Sequence, residues 1–157
     1  KCEAFKLPQP LAHEKVKTVV GLDGRKMSKS YGNIIPIFAS EKELRKLIMK
    51  IVTNSQGMEE PKDPDSCSVF SLYKCFADEE QISALRERYL AGGMGWGHAK
   101  QELFEVMNTQ LTPYRDKFNQ LMADPGYIND TLHKGSIKAR ELAAVKIREL
   151  RRILGID

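Results

Sequence analysis

The sequence predicts a mainly α-helical protein, in which a helical bundle follows a short segment of β-strand and loop. Residues 1–39 are rich in proline, glycine and β-branched residues, whereas apolar residues recur at helical spacing after Ser40. The 157 residues are 41% hydrophobic and 29% charged, which is typical of a folded domain. No apolar run approaches the roughly 20 residues of a membrane span, so the sequence excludes an integral membrane protein and predicts no membrane partner.

The first 39 residues predict extended chain and turns. Residues 5–10 contain two prolines, each of which disfavours helix at the residue before it. Residues 16–20, VKTVV, form a short β-prone run, and Gly21 and Gly24 follow it as turn residues. We therefore expect one domain at 1–39 and a second, helical domain at 40–157.

Capping residues and breaks divide the rest of the chain into about five or six helices. Ser40 and Glu43 form a capping box, which marks the start of one helix. Asp78 and Gln81 form a second, and Pro113 is expected to begin a helix of its own, because proline suits a first turn. The predicted segments are about 40–52, 67–77, 78–91, 98–111, 113–123 and 136–154. The third segment carries the apolar residues Ile82, Leu85 and Leu90.

The last predicted helix concentrates the positive charge of the chain. Residues 134–157 contain seven basic and three acidic side chains, so they account for the whole formal net charge of +4. A local basic surface favours an anionic partner such as RNA, although a solvated helix face is the simple alternative.

Cysteine usage indicates a reducing compartment. Cys2, Cys67 and Cys75 form no CxxC pair and leave an odd thiol, which argues against a disulfide framework and predicts a cytoplasmic protein. The N-terminus lacks the apolar core of a signal peptide, and it also lacks an initiator Met, so we expect a processed chain or an excised piece. We expect no metal site, because the three histidines lack ligand spacing.

Residues 21–33, GLDGRKMSKSYGN, have the composition of a loop that binds a polyphosphate. Lys26 and Lys29 supply positive charge on flexible stems, and glycines permit the loop to close. Ser28 and Ser30 supply short hydrogen-bond donors, while the GxxxxGK[ST] pattern of a P-loop is absent. Such a loop would stabilise charge on phosphate oxygens in a phosphoryl or nucleotidyl transfer, although a solvated loop is the alternative.

The same stretch carries a resemblance to a known family. Residues 26–30 resemble, letter for letter, the KMSKS signature of the class I aminoacyl-tRNA synthetases. The likeness extends to EEPKDPDSCSVFSLYKCF (59–76), RERYLAGGMGWGHAKQELF (86–104) and PYRDKF (113–118). Together these segments resemble the C-terminal half of the bacterial-type tryptophanyl-tRNA synthetase family.

This resemblance implies a fold and an activity. Residues 1–39 would be the edge of a Rossmann-type catalytic domain, and residues 40–157 an anticodon-binding-type helical domain. The implied reaction is the ATP-dependent activation of tryptophan, with Mg²⁺ bound to ATP, followed by transfer to tRNA(Trp). The intact enzyme would be a cytoplasmic homodimer that holds tryptophan in an N-terminal half with a HIGH-type motif. Because that motif is absent here, we expect this chain alone to be inactive.

The resemblance also implies roles for individual residues. Lys26 and Lys29 would be catalytic, through contacts with the phosphates of ATP, and Met27 would anchor the loop by apolar packing. The implied ATP-binding residues are Lys26, Met27, Ser28, Lys29 and Ser30. Candidate contacts to the tRNA phosphate backbone are Arg86, Arg88, Arg148, Arg151 and Arg152.

Two further features of the helical region leave alternatives. Trp96, in a glycine-rich corner, could stack on an RNA base, but packing within the bundle is favoured. Some relatives hold an iron–sulfur cluster on four cysteines in this region, whereas the corner here has none. We therefore expect no cluster, and we expect Cys67 and Cys75 to be small buried apolar residues.

Two competing functions remain at this stage. The chain could be the equivalent part of a tyrosyl-tRNA synthetase or of another class I synthetase, which also carry the KMSKS loop. Alternatively, it could be a non-enzymatic helical RNA-binding module in which the loop is vestigial. Tyrosine dependence would identify the first, and salt-sensitive tRNA binding without an ATP effect would favour the second.

Overall fold

The fold is mainly helical, as predicted. The computed structural model describes residues 4–11 and 18–156. Within this part of the chain the only β structure is an isolated antiparallel bridge between Val20 and Lys26, and a single 3₁₀ turn spans Lys29–Tyr31. The helices are α1 (Glu41–Met49), α2 (Ser68–Tyr73), α3 (Glu79–Ala91), α4 (Trp96–Met122) and α5 (Pro125–Leu154).

The chain divides into two compact units. Of the described residues, one unit contains 18–117 and the other contains 4–11 together with 118–156. In the described ranges, every buried residue lies between Gly21 and Leu111, and therefore in the first unit. The domain boundary expected between residues 39 and 40 stays a prediction.

Local capping positions the helices of the first unit. The Ser40 hydroxyl oxygen accepts a hydrogen bond from the Glu43 amide at 3.3 Å and caps α1. At α3 the complete capping box is present, because the Asp78 carboxylate accepts from the Gln81 amide and the Gln81 side chain accepts from the Asp78 amide. Both helices therefore start where the sequence predicted.

The core of the first unit joins these helices to the segment that precedes them. Apolar side chains of α1 to α4 form one buried cluster, and Val20, Leu22 and Met27 pack against it. The residues of the cluster that are nearly inaccessible to solvent include Leu44, Ile48, Val69, Phe70, Leu85, Tyr89 and Leu103. The loop that follows Val20 is consequently anchored on the helical core.

The predicted break at Pro113 is wrong, because α4 continues through it. The proline removes the hydrogen bond that its amide would give to the carbonyl of Thr109. Neighbouring side chains supply other bonds to the preceding turn. The Thr112 hydroxyl donates to the Asn108 carbonyl at 2.6 Å, and the Arg115 guanidinium donates to Asn108 Oδ1 at 3.1 Å.

Replacing this proline is expected to stabilise the helix. Pro113→Ala restores a backbone hydrogen bond, and we expect the free energy of unfolding to rise by about 1 to 3 kcal/mol. Urea unfolding followed by circular dichroism measures the change, and Asp116→Ala, at an exposed position of the same helix, is the control. An unchanged or lowered free energy of unfolding in Pro113→Ala would contradict the expectation that the proline costs α4 stability.

The second unit contains α5, which begins earlier than predicted. The Asp124 carboxylate accepts from the Tyr127 amide at 2.9 Å and caps the helix, with Pro125 in its first turn. Gly135, expected before the helix, lies inside it, whereas Gly155 ends it in a left-handed conformation as expected. No residue of α5 is buried.

Candidate functional site

Residues 21–33 form a loop whose two ends are joined. The Leu22 amide donates to the Asn33 carbonyl at 3.0 Å, and the Gly21 amide donates to the Arg25 carbonyl at 2.7 Å. Close to this junction, the Met27 amide donates to the Val19 carbonyl at 2.8 Å. The chain therefore passes through the Val20–Lys26 bridge and the KMSKS residues, and at Asn33 it lies beside Leu22 again.

The junction depends on a close approach at Gly21. A Cβ atom on this residue would lie 2.4 Å from Cγ of Asn33 and 2.7 Å from the Asn33 carbonyl oxygen. Only glycine leaves the space that the Asn33 side chain fills. The loop is also tied to the segment just after α1, because the Leu22 carbonyl accepts from the Val52 amide at 2.8 Å.

The side chain of Asn33 connects three parts of the loop. Its Oδ1 accepts from the Ser28 amide at 2.8 Å, while its Nδ2 donates to Asp23 Oδ1 at 2.7 Å and to the Lys26 carbonyl at 3.2 Å. The residue is only 3% exposed, so these bonds are shielded from competition with water.

Asp23 is held as a carboxylate. The Asn33 amide, followed by the Arg25 side chain and backbone amide, lowers the pKa of Asp23 to about 2. Arg25 Nε donates to Asp23 Oδ2 at 2.7 Å, and the Arg25 guanidinium lies 4.6 Å from the centre of the Tyr31 ring. Asp23 therefore serves as a fixed acceptor within the loop, and its carboxylate oxygens already accept hydrogen bonds from Arg25 and Asn33.

The side chains of residues 26–30, which the resemblance assigns to ATP binding, are exposed or half-buried at the surface of the loop. Lys26, Lys29 and Ser30 are exposed, and the Ser28 and Ser30 hydroxyl oxygens lie 2.8 Å apart. Met27 is half-buried and packs against the hydrophobic core, which agrees with an anchoring role. The loop can therefore present two ammonium groups and two hydroxyls to an anion, although their roles in binding ATP stay predictions.

The two arginines of α3 proposed to contact tRNA have carboxylate partners within the protein. Arg86 forms a bidentate pair with Asp65, with N–O distances of 2.9 and 2.6 Å, and this pairing lowers the pKa of Asp65. Arg88 pairs with Glu102 at 2.5 Å. Because both arginines are at least partly exposed, a contact with phosphate stays a prediction for each.

The remaining candidate arginines lie on α5. Arg148, Arg151 and Arg152 are exposed, and the last two occupy the final turn, where positive charge is favourable. Near them, Lys146 pairs with Glu149 at 2.8 Å. A contact between these arginines and tRNA stays a prediction.

Trp96 packs at the corner where α4 begins. Its ring is half-buried and meets the Tyr89 ring edge-on, with 6.0 Å between ring centres. Its Nε1 donates to Asn54 Oδ1 at 3.2 Å, and Nζ of Lys62 lies 5.4 Å from the ring centre. These contacts support the packing interpretation over a free stacking surface.

The two described cysteines differ in environment. Cys67 is buried, as expected, with its Sγ 3.7 Å from the Tyr89 hydroxyl, whereas Cys75 is exposed, contrary to expectation. Cys75 lies just after α2, where its Sγ contacts the Ser71 carbonyl. Over residues 4–11 and 18–156, no group of three or more His, Cys, Asp or Glu side chains could hold a metal ion. The absence of an iron–sulfur cluster stays a prediction, and Cys2 and His13 lie outside the described residues.

No helix in the described ranges is both long and apolar enough to cross a membrane.

Comparison with known proteins decides the family. The family described as "tRNA synthetases class I (W and Y)" matches residues 1–112. The chain belongs to this family. The class I synthetase resemblance of the KMSKS loop is therefore confirmed.

Individual class I synthetases resemble the chain over nearly its whole length. The tryptophan–tRNA ligase of Pseudomonas aeruginosa is 46% identical over 98% of this chain and 34% of its own length. That of Campylobacter jejuni is 43% identical over 98% of this chain and 48% of its own length. A crystal structure of the Campylobacter jejuni tryptophanyl-tRNA synthetase with ADP and tryptophan has a TM-score of 0.83, with the same coverage of both chains. The chain thus spans between a third and a half of the length of these relatives.

Sequence reasoning missed two buried polar residues that organise irregular segments of the chain, one in the 21–33 loop and one in the segment between α1 and α2. Asn33 was noted only as part of the resembling stretch, and its three hydrogen bonds join positions up to ten residues apart. Lys62 was not singled out, yet it is 1% exposed and donates to the Gly57 and Glu60 carbonyls at 2.7 and 3.0 Å. Neither residue belongs to a periodic pattern, so no signal in the sequence separated it from an ordinary loop residue.

Proposed function

We propose that this chain is part of a tryptophan–tRNA ligase and supplies the loop that binds the phosphates of ATP. The supporting observation is the closed 21–33 loop, which exposes Lys26 and Lys29. The chain that carries this loop is 43% identical to a tryptophanyl-tRNA synthetase, and the match covers 98% of this chain. The relatives reported above are named for tryptophan, which favours this amino acid over tyrosine. A non-enzymatic RNA-binding module is not favoured.

The proposed chemistry is the transfer of an adenylyl group. The carboxylate of tryptophan attacks the α-phosphorus of ATP, which forms tryptophanyl-adenylate and releases pyrophosphate. Lys26 and Lys29 stabilise the negative charge that grows on the departing phosphates, while the Ser28 and Ser30 hydroxyls donate hydrogen bonds to them. A hydroxyl at the 3′ end of tRNA(Trp) then attacks the carbonyl carbon of the adenylate, which transfers tryptophan to the tRNA and releases AMP.

The loop itself supplies no evident ligand for Mg²⁺. Asp23 is the carboxylate within the loop, and its oxygens already accept from Arg25 and Asn33. Mg²⁺ would therefore enter bound to the phosphates of ATP, where it would neutralise part of their charge. The role of this chain toward the metal is indirect, through the phosphates that the loop holds.

The proposed partners of the chain are tRNA(Trp), tryptophan and a second copy of the enzyme. Residues 134–157 carry a net positive charge of four, which favours contact with the phosphate backbone of tRNA(Trp). Tryptophan would be held by the part of the enzyme that this chain does not include. A cytoplasmic homodimer is the assembly that the resemblance implies, and this stays a proposal.

Amino-acid-dependent exchange of pyrophosphate tests the proposal. We expect the full-length enzyme to incorporate labelled pyrophosphate into ATP with tryptophan and not with tyrosine, because only the cognate amino acid forms the adenylate. The isolated 157-residue chain, as a control, is expected to show no exchange. Exchange with tyrosine alone would identify a tyrosyl enzyme, whereas tRNA binding without any exchange would favour the RNA-binding module.

A further inference from the structure

We infer that Asn33 is a positioning residue for Lys26 and Lys29. The inference rests on the proposed function, because it concerns how the loop holds its ammonium groups toward the phosphates of ATP. Asn33 acts through the two lysines and not by contact with the substrate, because it fixes the backbone from which they project.

The hydrogen bonds of Asn33 lie on both sides of Met27. The Lys26 carbonyl accepts from Nδ2 at 3.2 Å, and the Ser28 amide donates to Oδ1 at 2.8 Å. One planar carboxamide thus sets the direction of the chain where it leaves Lys26 and where it enters the turn that contains Lys29. The Tyr31 amide donates to the Ser28 carbonyl at 3.2 Å and thereby fixes the turn that contains Lys29.

A third bond attaches the carboxamide to the opposite side of the loop. Asn33 Nδ2 donates to Asp23 Oδ1 at 2.7 Å, and Oδ1 of Asp23 also accepts from the Arg25 amide at 3.1 Å. The Asn33 backbone carbonyl accepts from the Leu22 amide at 3.0 Å. Asn33 therefore fastens the closing end of the loop to its opening end through both backbone and side chain.

The chemistry of this position requires asparagine. Its carboxamide offers an acceptor for the Ser28 amide and two N–H groups for the Asp23 carboxylate and the Lys26 carbonyl. An aspartate would keep the acceptor but place a second carboxylate beside Asp23. An alanine would leave the amide of half-buried Ser28 without this partner.

Substitutions at position 33 in the full-length enzyme test the inference. We expect Asn33→Ala to lower kcat for tryptophan-dependent pyrophosphate exchange by about 10²-fold, because the lysines lose their fixed geometry. The KM for tryptophan should not change, since the proposed function places the amino acid in the part of the enzyme outside this chain. Asn108→Ala is the matched control, because Asn108 also binds its neighbours through Oδ1 but lies in α4 and not in the loop.

A reciprocal exchange of residues separates positioning from general stability. Asn33→Asp should be less active than Asn33→Ala, because two carboxylates would face each other. Adding Asp23→Asn restores a hydrogen bond between positions 23 and 33 with donor and acceptor reversed. We expect this double variant to recover about tenfold in kcat over Asn33→Asp, which is within the usual coupling of residues in contact.

The outcomes distinguish this inference from the proposed function. A wild-type enzyme without tryptophan-dependent exchange would overturn the proposed function. An active wild-type enzyme, with Asn33→Ala as active as Asn108→Ala, would overturn the inference alone. If Asn33→Ala does not fold, the comparison of Asn33→Asp with the double variant decides, and the absence of recovery in the double variant would overturn it.

Discussion

Lys29→Ala is expected to lower the rate of tryptophan-dependent pyrophosphate exchange by roughly 10² to 10³-fold in the full-length enzyme. Lys29 opens the 3₁₀ turn of the loop, and its side chain is exposed. An ammonium group at this point stabilises the charge that pyrophosphate gains as it departs, and alanine supplies nothing in its place. The loss should fall on kcat, because this charge is larger in the transition state than in bound ATP.

A second lysine variant provides the control for this experiment. Lys42→Ala removes an ammonium group from an exposed position of α1, outside the loop, and is expected to leave the exchange rate unchanged. Equal rates for Lys29→Ala and the wild type would remove Lys29 from the mechanism. Equal losses in both lysine variants would point instead to the overall charge of the protein.

The candidate site was predictable where its residues are adjacent in sequence. Lys26, Ser28, Lys29 and Ser30 form a contiguous string, so their shared chemistry can be seen without a structure. The support for this string was not predictable, because Asn33 reaches Asp23 across ten residues of irregular loop. Hydrogen bonds of this kind depend on the path of the backbone and leave no periodic signal.

The fold was predictable where local interactions decide it. The capping box at Asp78 set the start of α3, since both of its hydrogen bonds form within one turn. Local signals failed at Pro113 and Gly135, where a proline and a glycine are tolerated inside long helices. Such residues cost helical stability but do not end a helix when the flanking turns remain favourable.

The burial of apolar residues in α3 also could not be read from local sequence signals. Leu85 is 1% exposed, whereas Leu90, an apolar residue of the same helix, is 55% exposed. Five residues correspond to about 140° around the helix axis, so Leu90 points away from Leu85. Tyr89, which lies four residues after Leu85, takes the buried position and is fully enclosed.

Leu85→Ala is therefore expected to destabilise the protein by about 2–5 kcal/mol, because it removes a fully packed side chain and leaves a cavity. Leu90→Ala, on the same helix, removes the same atoms from an exposed position and should change the free energy of unfolding by less than about 0.5 kcal/mol. Urea unfolding of both variants measures the difference. Equal losses would show that Leu90 is covered in solution, and the helix would then bury two faces where the structure shows one.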